Sequence, residues 1–235
     1  MSEEFILILT AASLGLVHTI IGPDHYLPFI AIAKARNWKR KMTGIVVVLC
    51  GIGHVLSSIV IGFIGIAFGI AISSLTSIES LRGSIAGWLL IAFGLVYTVW
   101  GLRMAVKNKK HTHIHFHNDG TVHEHEHYHS EEHTHIHESE KKPITPWVLF
   151  IIFVFGPCEP LIPLVMYPAA MHHYTLVIAV SIVFGIITIG TMLVLTFLGI
   201  YGINLLPAHK LEKYIHALAG FAILLCGISI KFLGL

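Results

Sequence analysis

The feature that most constrains this chain is a succession of apolar stretches, each long enough to cross a bilayer. A helix needs roughly 20 predominantly apolar residues to span the hydrocarbon core. Six segments reach that length, at about 5–33, 43–72, 81–104, 147–171, 174–200 and 213–233. Of the 235 residues, 55% are hydrophobic and only 12% are charged, whereas soluble domains are nearer a quarter charged. One soluble core cannot bury that much apolar surface, so the excess must face lipid. The expected fold class is an all-α integral membrane protein with six transmembrane helices. Most segments exceed the minimum length, so tilt or interruption is expected. The acidic Met1 end runs into the first span with no basic region or small-residue cleavage site, so a removed signal peptide is not expected.

Basic residues set the expected orientation. Lys34, Arg36, Lys39, Arg40 and Lys41 follow the first span, Arg103, Lys107, Lys109 and Lys110 follow the third, and Lys210 and Lys213 precede the sixth. The stretches 73–80 and 172–173 carry no Lys or Arg. The positive-inside bias places the first, third and fifth loops in the cytoplasm of a plasma-membrane protein, with both termini outside. A net charge of +2 is too mild for a nucleic-acid partner. Three cysteines with no CxxC pair exclude a disulfide scaffold and a zinc ribbon. The expected partners are the lipid bilayer and a transition-metal cation, with the oligomeric state open.

The chain repeats itself. At an offset of 134, Gly22-Pro23 falls on Gly156-Pro157, Leu27 on Leu161, Gly51 on Gly185, Phe63 on Phe197 and Gly65-Ile66 on Gly199-Ile200. At 133 the match continues with Ala86-Gly87 on Ala219-Gly220, Gly94 on Gly227 and Gly101-Leu102 on Gly234-Leu235. Three spans per half is an odd number, so the halves must insert with opposite orientation, as in many secondary transporters. The domain reading is a first three-helix repeat over 1–104, a cytoplasmic His-rich loop over 105–146 and a second repeat over 147–235.

The first span of each half is interrupted at the same place. One half reads Gly22-Pro23-Asp24-His25-Tyr26-Leu27-Pro28, the other Gly156-Pro157-Cys158-Glu159-Pro160-Leu161-Ile162-Pro163. Proline removes an amide donor and clashes with the preceding turn, so the helices must kink or unwind there. Matching interruptions point to a site near the bilayer midplane. Ionisable groups at that depth are costly unless paired or solvated. Asp24, His25, Cys158 and Glu159 on the two breaks, with His18 one side and His54 in the second span, therefore suggest a cation site. Ser57 and Thr188, the repeat-mate of His54, are expected along its pathway. Each of these residues can instead serve as a local hydrogen-bonding group or core filler. Imidazole, carboxylate and thiolate together suit nickel, cobalt or zinc better than sodium, potassium, calcium or magnesium.

The loop adds independent support. His111, His113, His115, His117, His123, His125, His127, His129, His133, His135 and His137 lie in two blocks of alternating histidine around Asn118-Asp119-Gly120, a hairpin-type turn signal. Alternation puts a block's imidazoles on one face of a strand. A lone two-stranded hairpin is marginal, so disorder until metal binds is expected.

These residues resemble the nickel/cobalt transporters of the NiCoT, NicO and UreH-like kind. His18 followed by Asp24-His25, and Gly53-His54 followed by Ser57-Ser58, are similar to that group's first two signatures. The resemblance implies metal recognition by His18, Asp24, His25 and His54, and six spans match its NicO or UreH-like branch. The spacing departs from the NiCoT signature, with five residues rather than four before Asp24. A more distant similarity links the Gly-Pro-Cys-Glu-Pro break to the CcdA/DsbD membrane electron carriers, which need a thiol on both breaks. Here the partner position is Asp24, which takes no part in thiol exchange. A third class, export of a sulfur oxyanion or organic anion, would want interior cations, of which the third span offers Arg82. No P-loop is present. The expected function is non-enzymatic: alternating-access transport of a divalent transition metal as cargo, with no tightly bound cofactor.

Overall fold

The computed structural model describes residues 2–107, 111–116, 122–127, 144–205 and 212–233. Helix α1 (Glu3–Ile21) starts at Ser2, whose hydroxyl accepts from the Phe5 amide, and Glu3 and Glu4 sit at the positive end of its dipole. It stops at Gly22, because Pro23 cannot continue the ladder, and resumes as α2 (Leu27–Ala35) after a single 3-10 turn at Pro23–His25. Then come α3 (Arg40–Phe68) and α4 (Ile72–Lys107). Strands β1 (His111–Phe116) and β2 (Val122–His127) pair antiparallel, and α5 (Ile144–Phe155), α6 (Leu161–Ala170), α7 (Tyr174–Asn204) and α8 (Ile215–Ile228) follow. The last helix ends in a π turn, Ser229–Leu233. Both interruptions fall at the Gly-Pro pairs, between α1 and α2 and between α5 and α6.

Among the described residues five helices are long and apolar enough to cross a membrane: Glu3–Ile21, Arg40–Phe68, Ile72–Val106, Tyr174–Asn204 and Glu212–Leu233. The outer surface is apolar, with Phe5, Leu56, Val96, Ile186 and Leu198 all exposed. A soluble protein would hide such a belt, and lipid accepts it. One core cluster gathers Phe29, Val47, Leu149, Met192 and Ile223; another gathers Val55, Cys158, Leu161 and Phe184. The chain is therefore an all-α integral membrane protein carrying one short hairpin.

Two expectations change. The stretch 73–80, read as a loop, is helical, and the turn shrinks to Gly69, Ile70 and Ala71. Gly69, at φ +62°, ends α3 in the left-handed region that glycine enters without strain. Thr76 and Ser77 return their hydroxyls to the carbonyls of the preceding turn, so their polarity does not stop the helix. Second, β1 and β2 form paired strands where disorder was expected, with His111 opposite His127, His113 opposite His125 and His115 opposite His123. Alternation of His with Thr, Ile and Phe matches the strand period. His117, the 118–120 turn, His129, His133, His135, His137 and the Gly234-Leu235 end of the repeat lie outside the described residues.

Helices pack as α1 on α7, α3 on α5 and α4 on α8. The α4–α8 pair is the closest in kind: a Cβ on Gly94 would strike the Leu224 backbone and the Gly220 carbonyl, and one on Gly227 would strike Ile91 and the Gly87 carbonyl. Without a hydrophobic drive between helices in lipid, such small-residue contacts hold the pair through close van der Waals approach. Gly94→Val is expected to destabilise the protein by about 1–3 kcal/mol through overpacking. Gly190→Val, which enters open space, is expected to leave the melting temperature in detergent nearly unchanged.

Candidate metal centre

His18 comes from the last turn of α1, His25 from the 3-10 turn at the break and His54 from the middle of α3. One ligand nitrogen from each lies within 4.8 Å of the others. His25 Nε2 and His54 Nε2 are 3.3 Å apart, close to the edge of a tetrahedron with metal–nitrogen bonds of about 2.0–2.1 Å. Two nitrogens on one ion can be at most about 4.2 Å apart at those bond lengths, so the widest pair closes by a small side-chain rotation. His18 Nε2 is buried with no hydrogen-bond partner.

The tautomer of His25 follows from its partners. Its Nδ1 faces two acceptors, the Gly22 carbonyl and Asp24 Oδ1, both at 3.1 Å. That nitrogen must carry the proton, which leaves the Nε2 lone pair aimed at His54. Asp24 is thereby an orienting carboxylate behind the imidazole rather than a member of the three-nitrogen cluster, an arrangement common around metal-bound histidines. His54 Nδ1 lies toward the Phe153 carbonyl without a hydrogen bond of good geometry. A metal taking its Nε2 lone pair would place the proton on Nδ1, where that carbonyl can accept it.

Both break glycines make room for these rings. A Cβ on Gly22 would stand 2.6 Å from His25 Nδ1, and one on Gly156 would stand 2.8 Å from His54 Nδ1. A cavity of about 280 Å³ opens beside the cluster, with His18, Asp24 and His25 on one side and Pro157 and Pro160 on the other. His18 and His25 line this cavity, and the buried His54 does not.

The remaining expected residues lie elsewhere. Cys158 is fully buried, and its backbone amide donates to Glu79 Oε2 at 2.9 Å. Glu159 is exposed. Neither joins the histidine cluster: Cys158 packs into the core with Val55, Leu161 and Phe184, and Glu159 faces outward. Thr188 is buried with its hydroxyl unpartnered, and the Cβ position of Gly15 lies 3.2 Å from it. Ser57 donates to the His54 carbonyl at 2.7 Å. The side chains of the loop histidines are outside what the structure describes.

One group escaped the sequence reading. Glu79 is fully buried and pairs with Arg82, one turn on along α4. Glu79 also accepts from Ser58 at 3.0 Å and from the Cys158 amide. Arg82 donates to Ser57 at 2.5 Å and to the carbonyls of Val154 at 2.6 Å and Gly156 at 3.3 Å. The pair thus satisfies both ends of the second break, carbonyls on one side and an amide on the other. The i, i+3 spacing of Glu79 and Arg82 was the available signal, hidden by reading 73–80 as a loop.

Two outcomes follow. Gly22→Ala and Gly156→Ala are expected to weaken metal binding at least about tenfold by displacing a ligand ring, as isothermal titration in detergent would show. Glu79→Ala leaves the partly buried Arg82 without its counter-ion and is expected to cost about 3 kcal/mol. The Glu79→Leu/Arg82→Leu double variant should recover part of that loss in thermal unfolding.

No curated protein and no solved structure matches the chain. A family model described as the cytochrome c biogenesis protein transmembrane region matches residues 26–229. This supports the more distant of the two resemblances, the CcdA/DsbD type, and lends nothing to the nickel/cobalt group. The match begins just after the first break and takes in the second, and it covers most of the chain: the protein belongs to the cytochrome c biogenesis transmembrane-region family.

Proposed function

We propose that the protein carries a divalent transition-metal cation, nickel, cobalt or zinc, across the membrane through a site made of His18, His25 and His54, with Asp24 orienting His25. The observation that carries this reading is the convergence of three imidazole nitrogens within 4.8 Å on an interrupted helix and its neighbour. Three neutral imidazoles are good ligands for borderline ions and poor ones for sodium, calcium or magnesium. The finer architecture is part of the same proposal: six spans in two inverted halves. It draws support from the matched Gly-Pro breaks and from the paired contacts Gly94–Gly220 and Gly227–Gly87, which exchange under the 133-residue offset. Alternating access would follow from rocking one half against the other around the breaks. The hairpin histidines would gather metal on the cytoplasmic side.

Family membership favours a second reading, a membrane thiol/disulfide electron carrier, and on family grounds alone that reading stands ahead. Its chemistry needs two thiols that meet as a disulfide. Cys50, Cys158 and Cys226 are all free and buried, and of them only Cys158 lies on a break. Anion export is the least supported, because Arg82 is committed to Glu79 and to backbone carbonyls.

Flux into proteoliposomes separates these readings. Saturable nickel, cobalt or zinc entry is expected, reduced more than about tenfold in His25→Ala and His54→Ala, each of which removes one metal ligand. It should persist in a variant with all three cysteines changed to serine. Entry should also fall on acidification, because protons compete for the imidazoles. No metal entry by folded protein, together with cysteine-dependent reduction of an enclosed disulfide dye, would establish the electron carrier instead.

A further inference from the structure

A second cavity, of about 590 Å³, lies at the far end of α2, where α2, the α2–α3 turn and α7 meet. Lys34 on its wall lies nine residues beyond His25 of the break, or about 13 Å at the rise of an α-helix. It therefore opens near a membrane–water boundary and is distinct from the histidine cluster. Its polar lining comes from Lys34, Asn37, Trp38, Arg40 and Thr43 on one side and Tyr201 and Asn204 on the other. Every one of these can donate a hydrogen bond, two are cations, and among the described residues no carboxylate lines the cavity.

The geometry is built rather than incidental. Asn37 takes the left-handed conformation at φ 49° and turns the chain so that the Trp38 amide donates back to Ala33 at 2.9 Å. Lys34 is half-buried and folds across to donate to Asn204 Oδ1 at 2.6 Å. Positive charge is also gathered at one helix start. Lys39, Arg40 and Lys41 crowd the first turn of α3, which has no acidic residue and no side-chain cap. Cations belong at the opposite end of a helix dipole. The positive-inside bias accounts for basic residues in this turn. It does not account for Lys34 and Arg40 sharing one cavity with five neutral donors, Asn37, Trp38, Thr43, Tyr201 and Asn204.

We propose that this cavity binds a phosphate group, presented as the headgroup of an anionic lipid or as free phosphate. Charge-assisted hydrogen bonds from Lys34 and Arg40 would hold its oxygens, Trp38 and Tyr201 would sit at headgroup level, and the anion would relieve the repulsion at the start of α3. The proposal does not depend on what the protein transports.

The test places the full-length protein in nanodiscs of phosphatidylcholine with and without phosphatidylglycerol and reads retained lipid by native mass spectrometry. Retention of phosphatidylglycerol should fall about tenfold in Lys34→Gln/Arg40→Gln. It should hold in Lys41→Gln, which removes a charge from the same turn outside the cavity. Melting temperatures in lipid-free detergent show whether each variant is folded. If phosphatidylglycerol is not retained but inorganic phosphate raises the melting temperature with the same dependence on Lys34 and Arg40, the ligand is free phosphate. An equal loss in Lys41→Gln, or no response to either anion, overturns the proposal.

Discussion

Inside hydrocarbon an interrupted helix has no water to satisfy the amides and carbonyls that the break releases. The arrangement of this protein turns on how those groups are met. At the second break Arg82 takes the carbonyls of Val154 and Gly156 while Glu79 takes the amide of Cys158. One buried ion pair on α4 thereby fixes the gap between α5 and α6. Ser57 and Ser58 tie the same pair to α3, one turn beyond His54. The position of the deepest histidine is thus linked to the geometry of a break on another helix.

The first break is met differently. Gly22 returns its amide to His18, and its carbonyl faces the ring of His25. The groups that satisfy this break are themselves the candidate ligands and Asp24. One interruption is locked by residues with no access to the cavity; the other is closed by residues that line it. The symmetry of the sequence halves therefore conceals a division of labour, with one half supplying the imidazoles and the other supplying the wall. Gly156 shows the dependence directly, because any side chain there would displace the ring of His54.

Much of this was legible without coordinates. Apolar length gave the membrane class, proline chemistry gave the breaks, and the rarity of ionisable groups in lipid singled out His18, His25 and His54. Asp24 was read as a ligand; its carboxylate meets His25 Nδ1, and the three-nitrogen cluster does not include it. Sequence spacing reports which residues are near, whereas the side on which a carboxylate meets an imidazole depends on ring rotation about a 3-10 turn. Glu159 was read with the same group and lies exposed, outside the histidine cluster: a residue on a break has no helical phase from which to infer its direction. The Glu79–Arg82 pair was lost because serine-rich helix starts look like loops. Their hydroxyls bond within the helix, and only packing against α3 and α5 reveals what the charges do.

The amino-acid sequence by itself determined where the chain crosses lipid, where it must break and which residue types could bind a soft cation. These follow from local chemistry: transfer free energy, the missing proline amide and the donor set of each side chain. Only the tertiary structure decided which of those residues meet. A cluster drawn from α1, the 3-10 turn and α3 requires three separate backbones at fixed distances. Those distances are set by glycine contacts and a buried ion pair that act between segments far apart in the chain.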